Sequence, residues 1–363
     1  MMWMGSLMPF EMTQAGVLRK APGACRRRRA MLAEPRSAGG RRVISVRSDR
    51  AATARRAVVF AVDDGYLPFA LFAAERIAAL HPDRDFDICL CSDGPLAPPP
   101  RFAALGLRVL EVSAPGAFSG LRLDPGKTEV VYLRLALPEA LAADYDRLLY
   151  LDADIFVQGG DFAGLLGVDL GGKAVGAVRD NTQWRTPSRR PEQFRRLGLA
   201  SAPYFNAGVL LIDVARWRES GVMERCVAFG RANKAQMIRH DQNLLNGVLQ
   251  GDFAELSPVW NWQYTWASSL TEAMVVPNIV HFIGRKKPWK QGGDQLSPRY
   301  RRAFRDFLKA TFPERAVPDD GPATGARAGY VRKLLLKHFI AAGSMARYLA
   351  RFPDELTVRD PRA

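Results

Sequence analysis

The sequence predicts an α/β fold with a mostly parallel sheet flanked by helices. Two observations carry the prediction: apolar runs of strand length recur along the chain, and segments with helical apolar spacing alternate with them. The first run, residues 57–62 (AVVFAV), has the unbroken apolar character of a central strand covered on both faces. A helix follows, with Phe69, Phe72, Ile77 and Leu80 on its apolar face. Residues 86–91 and 108–112 read as the second and third strands, and helical spacing resumes over 132–141. Residues 147–151 (RLLYL) form another buried run that leads directly into Asp152-Ala153-Asp154. Further strands are expected at 174–178, 208–212 and 279–282. In such a sheet ligands gather beyond the carboxyl ends of the strands.

At 363 residues, with 48% hydrophobic and 25% charged side chains, the chain can bury a sizeable core, and wholesale disorder is excluded. The formal charge of +15 invites a nucleic-acid reading, but its location argues against one. Residues 1–56 carry +10 of it and residues 320–363 carry +4, so the body between them is nearly neutral. Residues 1–56, with the run Arg26-Arg27-Arg28-Arg29, lack apolar periodicity and read as a disordered basic segment; a start codon assigned too far upstream would look the same. The apolar residues 1–10 precede these arginines instead of following them, which makes a poor secretory signal. No run reaches the roughly 18–20 apolar residues of a membrane-spanning helix. Cys25, Cys89, Cys91 and Cys226 have neither metal-ligand nor disulfide-framework spacing and read as thiols in a reducing compartment, buried in the core.

The folded body is expected over 57–312, followed by a linker at 313–329 and a basic amphipathic helix. In that helix Val331, Leu335, Phe339, Ala342, Met345, Leu349 and Phe352 recur at helical spacing among Arg332, Lys333, Lys337, Arg347 and Arg351. Such a surface either packs on the body or lies on an anionic membrane.

The chemistry is carried by Asp152 and Asp154. Residues i and i+2 of an extended segment face the same side, so both carboxylates can reach one hard cation such as manganese or magnesium. The string HFIGRKKPW at 281–289 follows an apolar strand and adds an imidazole, a glycine that lets backbone approach a phosphate, and lysines to neutralise it. Taken alone, His281 would be a core histidine; beside the acidic pair it becomes a third metal ligand.

Six segments in order, FAVDDGY (60–66), YLRL (132–135), LYLDAD (149–154), YFNAGV (204–209), HDQNLLNG (240–247) and HFIGRKKPW (281–289), resemble glycosyltransferase family 8 over about residues 57–310. That family includes bacterial lipopolysaccharide galactosyl- and glucosyltransferases and glycogenin. The resemblance implies a Rossmann-like GT-A fold and retaining transfer of galactose or glucose from a UDP-sugar, with Mn2+ or Mg2+ held by Asp152, Asp154 and His281. It implies a uridine pocket from Ala61, Asp63 and Tyr66, a diphosphate grip from Gly284 and Lys287, and a donor-side contact from Arg134. Asp180, Asn206, Asp241 and Gln242 would line the sugar and acceptor side, with Gln242 nearest the anomeric carbon. Gly65 stands where the family often has asparagine, so one ribose contact is missing. Trp260, Trp262, Trp266 and Trp289 read as packing first and as sugar-stacking faces second.

An amide is a weak nucleophile, so same-face attack with the leaving phosphate as base is the expected route to retention. The acceptor is expected to be a glycan or glycolipid of the lipopolysaccharide kind, and the location cytoplasmic, on the inner membrane face through the C-terminal helix. Two rival classes fit the residues less well. A haloacid-dehalogenase-like phosphatase would use Asp152 as nucleophile, but it wants Thr or Val where Phe156 stands and a later acidic pair that is not evident. A basic nucleic-acid-binding protein would need a charged face that the neutral body lacks.

Overall fold

The computed structural model describes residues 44–124, 129–238, 240–290, 296–315 and 328–363. Its strands are β1 (Ser45–Ser48), β2 (Arg56–Ala61), β3 (Asp87–Ser92), β4 (Arg108–Ser113), β5 (Arg147–Leu151), β6 (Ile155–Val157), β7 (Val175–Arg179), β8 (Phe205–Asp213), β9 (Ala254–Leu256), β10 (Trp262–Gln263), β11 (Ile279–His281) and β12 (Val358–Arg359). Nine of them form one sheet in the order β1-β4-β3-β2-β5-β8-β7-β9-β12. The sheet is mixed. Strands β4, β3, β2 and β5 run parallel, whereas β8 runs antiparallel to both β5 and β7.

The apolar runs sit centrally because both faces of the sheet are covered. Along β2, Val58 and Phe60 enter one hydrophobic cluster with the helix Leu67–Leu80, while Ala57 and Val59 enter the other with the helix Val130–Ala140. Burying each large side chain there contributes about 1.5–3 kcal/mol. The parallel strands leave their carboxyl ends on one edge, with Asp63 beyond β2 and Asp152 beyond β5.

A second sheet, β10-β11-β6, has only three short strands. Its central strand β11 pairs antiparallel with β6, placing His281 opposite Ile155, the residue after Asp154.

Two expected boundaries are corrected. The basic segment was expected to be disordered through residue 56, yet β1 pairs antiparallel with β4 and adds an edge strand. Buried polar groups require this segment. Asp87, 8% exposed, accepts from the Thr53 backbone at 2.9 Å, and Arg108, 5% exposed, donates to Ser48 Oγ and the Arg50 carbonyl at 2.9 Å each. Nor does the body stop at residue 312. β12 extends the large sheet beyond β9, and Glu255, fully buried on β9, binds Arg351 at 3.1 Å and Tyr348 at 3.2 Å from the C-terminal part of the chain.

The expected amphipathic helix spans Ala328–Leu349 and divides its length between two surroundings. Ala341, Met345 and Tyr348 pack on the body, whereas Leu335, Leu336, Phe339 and Ile340 are exposed. Among the described residues, no helix is long and apolar enough to cross a membrane. Cys89, Cys91 and Cys226 are buried free thiols. Residues 1–43, including Cys25 and the arginine run, and 316–327 of the expected linker lie outside the described residues.

Candidate active site

Asp152 follows β5 and donates its backbone N–H to the Gly208 carbonyl of β8 at 2.8 Å, which carries the chain out of the large sheet. Two residues later Asp154 enters β6, and the β6–β11 pairing brings in His281 from more than a hundred residues away. His281 Nε2 lies 3.1 Å from Asp154 and 3.7 Å from Asp152. One ligand atom of each of the three falls within 4.8 Å of the others. The imidazole is 4% exposed at its side chain, but the carboxylates keep 24% and 17%, so the cluster opens on one side.

The far side of the imidazole is fixed. His281 Nδ1 lies 2.9 Å from Asn261 Oδ1, an acceptor that keeps a proton on Nδ1 and turns Nε2 toward the carboxylates. The Asn261 amide in turn donates to Asn206 Oδ1 at 2.9 Å, and that oxygen also accepts the Gly208 N–H at 3.0 Å. Asn206 donates to Gln242 Oε1 at 3.2 Å, and Gln242 donates to Asp180 at 3.4 Å. A relay of amides thus connects the expected metal residues to the expected sugar residues. Asn261 was missed from sequence because it lies between Trp260 and Trp262, which read as packing.

Gly208 is required at this point. A Cβ there would sit 2.2 Å from His281 Cε1 and 2.9 Å from Asp152 Oδ2, closer than side chains tolerate. Gly284 has φ +86, a conformation that glycine adopts freely, and it turns the chain after β11 toward Lys287.

Cations surround the carboxylates. Lys287, 5% exposed, donates to Asp154 and to the Phe282 carbonyl. Burial would raise the Asp154 carboxyl, but the charges and hydrogen bonds of His281 and Lys287 outweigh it and hold the group well below the usual carboxylate range. Arg134 donates to Asp152 at 2.8 Å and to the Ala207 carbonyl at 2.7 Å, and its Nε lies 2.7 Å from Asp241. Tyr150 donates to the same Asp152 oxygen at 2.9 Å. Asp241 behaves differently from Asp154. Burial pushes its carboxyl up and prevails over the Arg134 charge.

The nucleotide-side residues line a cavity of about 270 Å³ between the ends of β2 and β5, with Ala61, Asp63, Tyr66 and Arg134 in its wall beside Asp152 and Asp154. Asp63 caps the turn into the first helix by accepting the Tyr66 N–H at 3.0 Å. Burial first, and then the nearby Asp154, Asp152 and Asp63 charges, push the Tyr66 phenol up to about 12. Asp180 caps the helix Asn181–Trp184, accepting from Thr182 N and Oγ1 at 3.0 and 2.7 Å. Trp260 and Trp262 are fully buried, and Trp289 stacks on Phe69 at 3.8 Å, so these three are packing residues. Trp266 is 40% exposed.

Comparison with known proteins gives concordant findings. Residues 57–293 match glycosyl transferase family 8. The chain is 29% identical over 178 residues to General stress protein A of Bacillus subtilis, covering 45% of this chain and 59% of that one. It is 27% identical over 247 residues to the lipopolysaccharide 1,2-glucosyltransferase of Escherichia coli, covering 62% and 68% respectively. Among solved structures, galactosyltransferase LgtC in complex with donor and acceptor sugar analogs superposes with a TM-score of 0.58 at 27% identity, covering 73% of this chain and 98% of LgtC.

Proposed function

The chain belongs to glycosyl transferase family 8, and from that premise we propose that it moves galactose or glucose from a UDP-sugar to a glycan or glycolipid hydroxyl, with retention and with a divalent metal, Mn2+ or Mg2+. Its large helix-flanked sheet is the GT-A arrangement of LgtC, and with the family established the phosphatase reading of Asp152 falls away. The observation that carries the proposal is the convergence of Asp152, Asp154 and His281 within 4.8 Å. Two carboxylate oxygens and one imidazole nitrogen with a fixed tautomer are a donor set suited to manganese or magnesium. A divalent cation held there would neutralise the diphosphate as it leaves.

The protein's own groups divide the remaining work. The cavity wall of Ala61, Asp63 and Tyr66 would receive the uridine, Tyr66 offering its ring and Asp63 its carboxylate. Lys287, a buried ammonium, would sit against the diphosphate past the Gly284 turn and add positive charge where negative charge develops. Arg134 binds Asp152 through Nη2 and Asp241 through Nε, and so would tie the donor side to the acceptor side.

In the proposed transfer, the bond from the anomeric carbon to the diphosphate oxygen breaks as the acceptor oxygen attacks from the same face, and the acceptor's proton passes to the departing oxygen. A covalent route through Gln242 is disfavoured by its surroundings. Its Oε1 already accepts from Asn206 at 3.2 Å and from the Ala207 N–H at 3.4 Å. The amide would instead orient the sugar together with Asp180 and Asn206.

A cytoplasmic location on the inner membrane face is part of the proposal. It is supported by the exposed Leu335, Leu336, Phe339 and Ile340 among Arg332, Lys333 and Lys337, a composition suited to an anionic bilayer surface. The deciding experiment measures UDP release from UDP-galactose and UDP-glucose with and without Mn2+. Turnover of one donor that disappears on chelation supports the reading. Equal UDP release in excess chelator, or none from either donor, would overturn it.

A further inference from the structure

A cavity of about 550 Å³ lies between the helix Asn181–Trp184, the loop at 265–268 and the C-terminal helix, apart from the carboxylate cluster. Its volume is within the range of about 300–1,000 Å³ typical of small-molecule sites. Arg185, Arg189 and Lys337 contribute to its wall, and no aspartate or glutamate does. None of these three cations has a carboxylate partner among the described residues. Among the described residues their charge is uncompensated.

Trp266 lines the same cavity. It is 40% exposed, unlike the buried Trp260 and Trp262, and the Lys337 ammonium lies 3.3 Å from its ring centroid. The Lys337 ammonium covers one face of the indole, so a sugar ring that carries negative charge would lie against the remaining exposed part of Trp266 and bring its anion to that ammonium.

The cavity adjoins the active site. Thr182 and Arg189 also line a neighbouring cavity of about 280 Å³ that contains Asp180 and Gln242. Gln242 is shared in turn with the cavity that holds Asp152 and Asp241. These shared walls set the three cavities side by side, from a carboxylate-rich end to a purely cationic one, and an acceptor lying across them would follow one furrow.

Resting on the glycosyl-transfer reading above, we propose that the cationic end is a distal acceptor subsite that takes a sugar bearing an anionic group, a phosphate or carboxylate. The sugar ring lies on Trp266, and the anion lies among Arg185, Arg189 and Lys337. The acceptor is then an oligosaccharide long enough to reach from Gln242 past Thr182, and its charge sets its direction in the furrow.

The test uses the full chain saturated with UDP and Mn2+, so that the donor end is filled, titrated calorimetrically with glucose 6-phosphate, glucose and inorganic phosphate. Glucose 6-phosphate is expected to bind at least about tenfold more tightly than either fragment, because both the ring and the charge are used. The double variant Arg185→Ala/Arg189→Ala should lose at least about tenfold, while Arg185→Lys/Arg189→Lys, which keeps the charge and covers the case in which the alanine variant fails to fold, should stay within about threefold. Trp266→Ala should weaken glucose 6-phosphate and leave inorganic phosphate unchanged.

The proposal is overturned if inorganic phosphate binds as well as glucose 6-phosphate, if a folded Arg185→Ala/Arg189→Ala variant binds like wild type, or if these arginines matter only for binding to phosphatidylglycerol vesicles. UDP release separates the two levels. A wild-type protein that turns over neither UDP-galactose nor UDP-glucose, yet shows the full pattern with glucose 6-phosphate, would refute the transfer reading and leave an anionic-sugar site.

Discussion

Asn261 contacts neither carboxylate, yet it sets which nitrogen of His281 carries the proton. Replacing it with alanine removes the only acceptor described for Nδ1, and loss of such an outer partner typically costs about 10–100-fold in metal affinity or activity. Asn261→Ala is therefore expected to shift the Mn2+ concentration for half-maximal UDP release upward by about that factor, with rate largely recovered at saturating metal. Gly208→Ala should be more severe and should not recover. The added methyl would displace His281 and Asp152 together, so no Mn2+ concentration restores activity. Substrate-independent Mn2+ binding measured on the same variant should be lost as well. At this scale the sequence was legible where a residue's chemistry and its local spacing coincide, as in Asp152 and Asp154. Asn261 was not legible. Its contact with His281 spans twenty residues and arises only when β10 and β11 pair in parallel.

The elements most easily read are the ones whose burial is continuous. β2, β3 and β5 have apolar centres that are buried without a break, and their observed ends fall within a residue or so of the expected ones. β1 could not be read this way. Its four residues, Ser45-Val46-Arg47-Ser48, are exposed or half-buried, and it forms because Asp87 and Arg108 need partners, not because it is apolar. Asp87 makes this testable. Burial would raise its carboxyl, but hydrogen bonds from Thr53 and Tyr145 prevail and hold it below the usual range. A carboxylate lowered in the folded state contributes stability above its unfolded pKa of about 3.9 and loses it as pH falls through the folded value. Asp87→Asn should thus cost about 1–3 kcal/mol in urea unfolding at pH 7, and the gap to wild type should narrow below about pH 4. β12 depends similarly on Glu255, which takes two bonds of 2.8 Å from Arg179, itself 2% exposed. Glu255→Gln leaves a buried guanidinium without its counter-charge and should destabilise by about 3–5 kcal/mol, read by the same unfolding assay.

Across the whole molecule, packing on the body describes only the later half of the C-terminal helix, and the earlier half carries the exposed surface behind the proposed membrane attachment. Its later turns pack on the body through Met345 and Tyr348, and its earlier turns present Leu336, Phe339 and Ile340 outward. Sequence periodicity could not separate the halves, because both carry the same apolar stripe. Substituting Leu335, Leu336 and Phe339 with glutamate should release the protein from phosphatidylglycerol-containing vesicles in a flotation assay, while UDP release in solution stays near the wild-type rate. Vesicle recovery equal to wild type would count against membrane attachment by this helix.

The carboxylate cluster bridges two sheets of very unequal strength. Asp152 leaves a strand locked between β2 and β8, but His281 and Asp154 depend on three-residue strands with few backbone hydrogen bonds. Elements held by so few backbone bonds open at lower free energy than the global transition. Gentle warming should accordingly silence the protein while its circular dichroism still reports an intact fold, with the amides of Val280 and His281 exchanging early. Cooling should restore turnover promptly, since only a small flap has to close again.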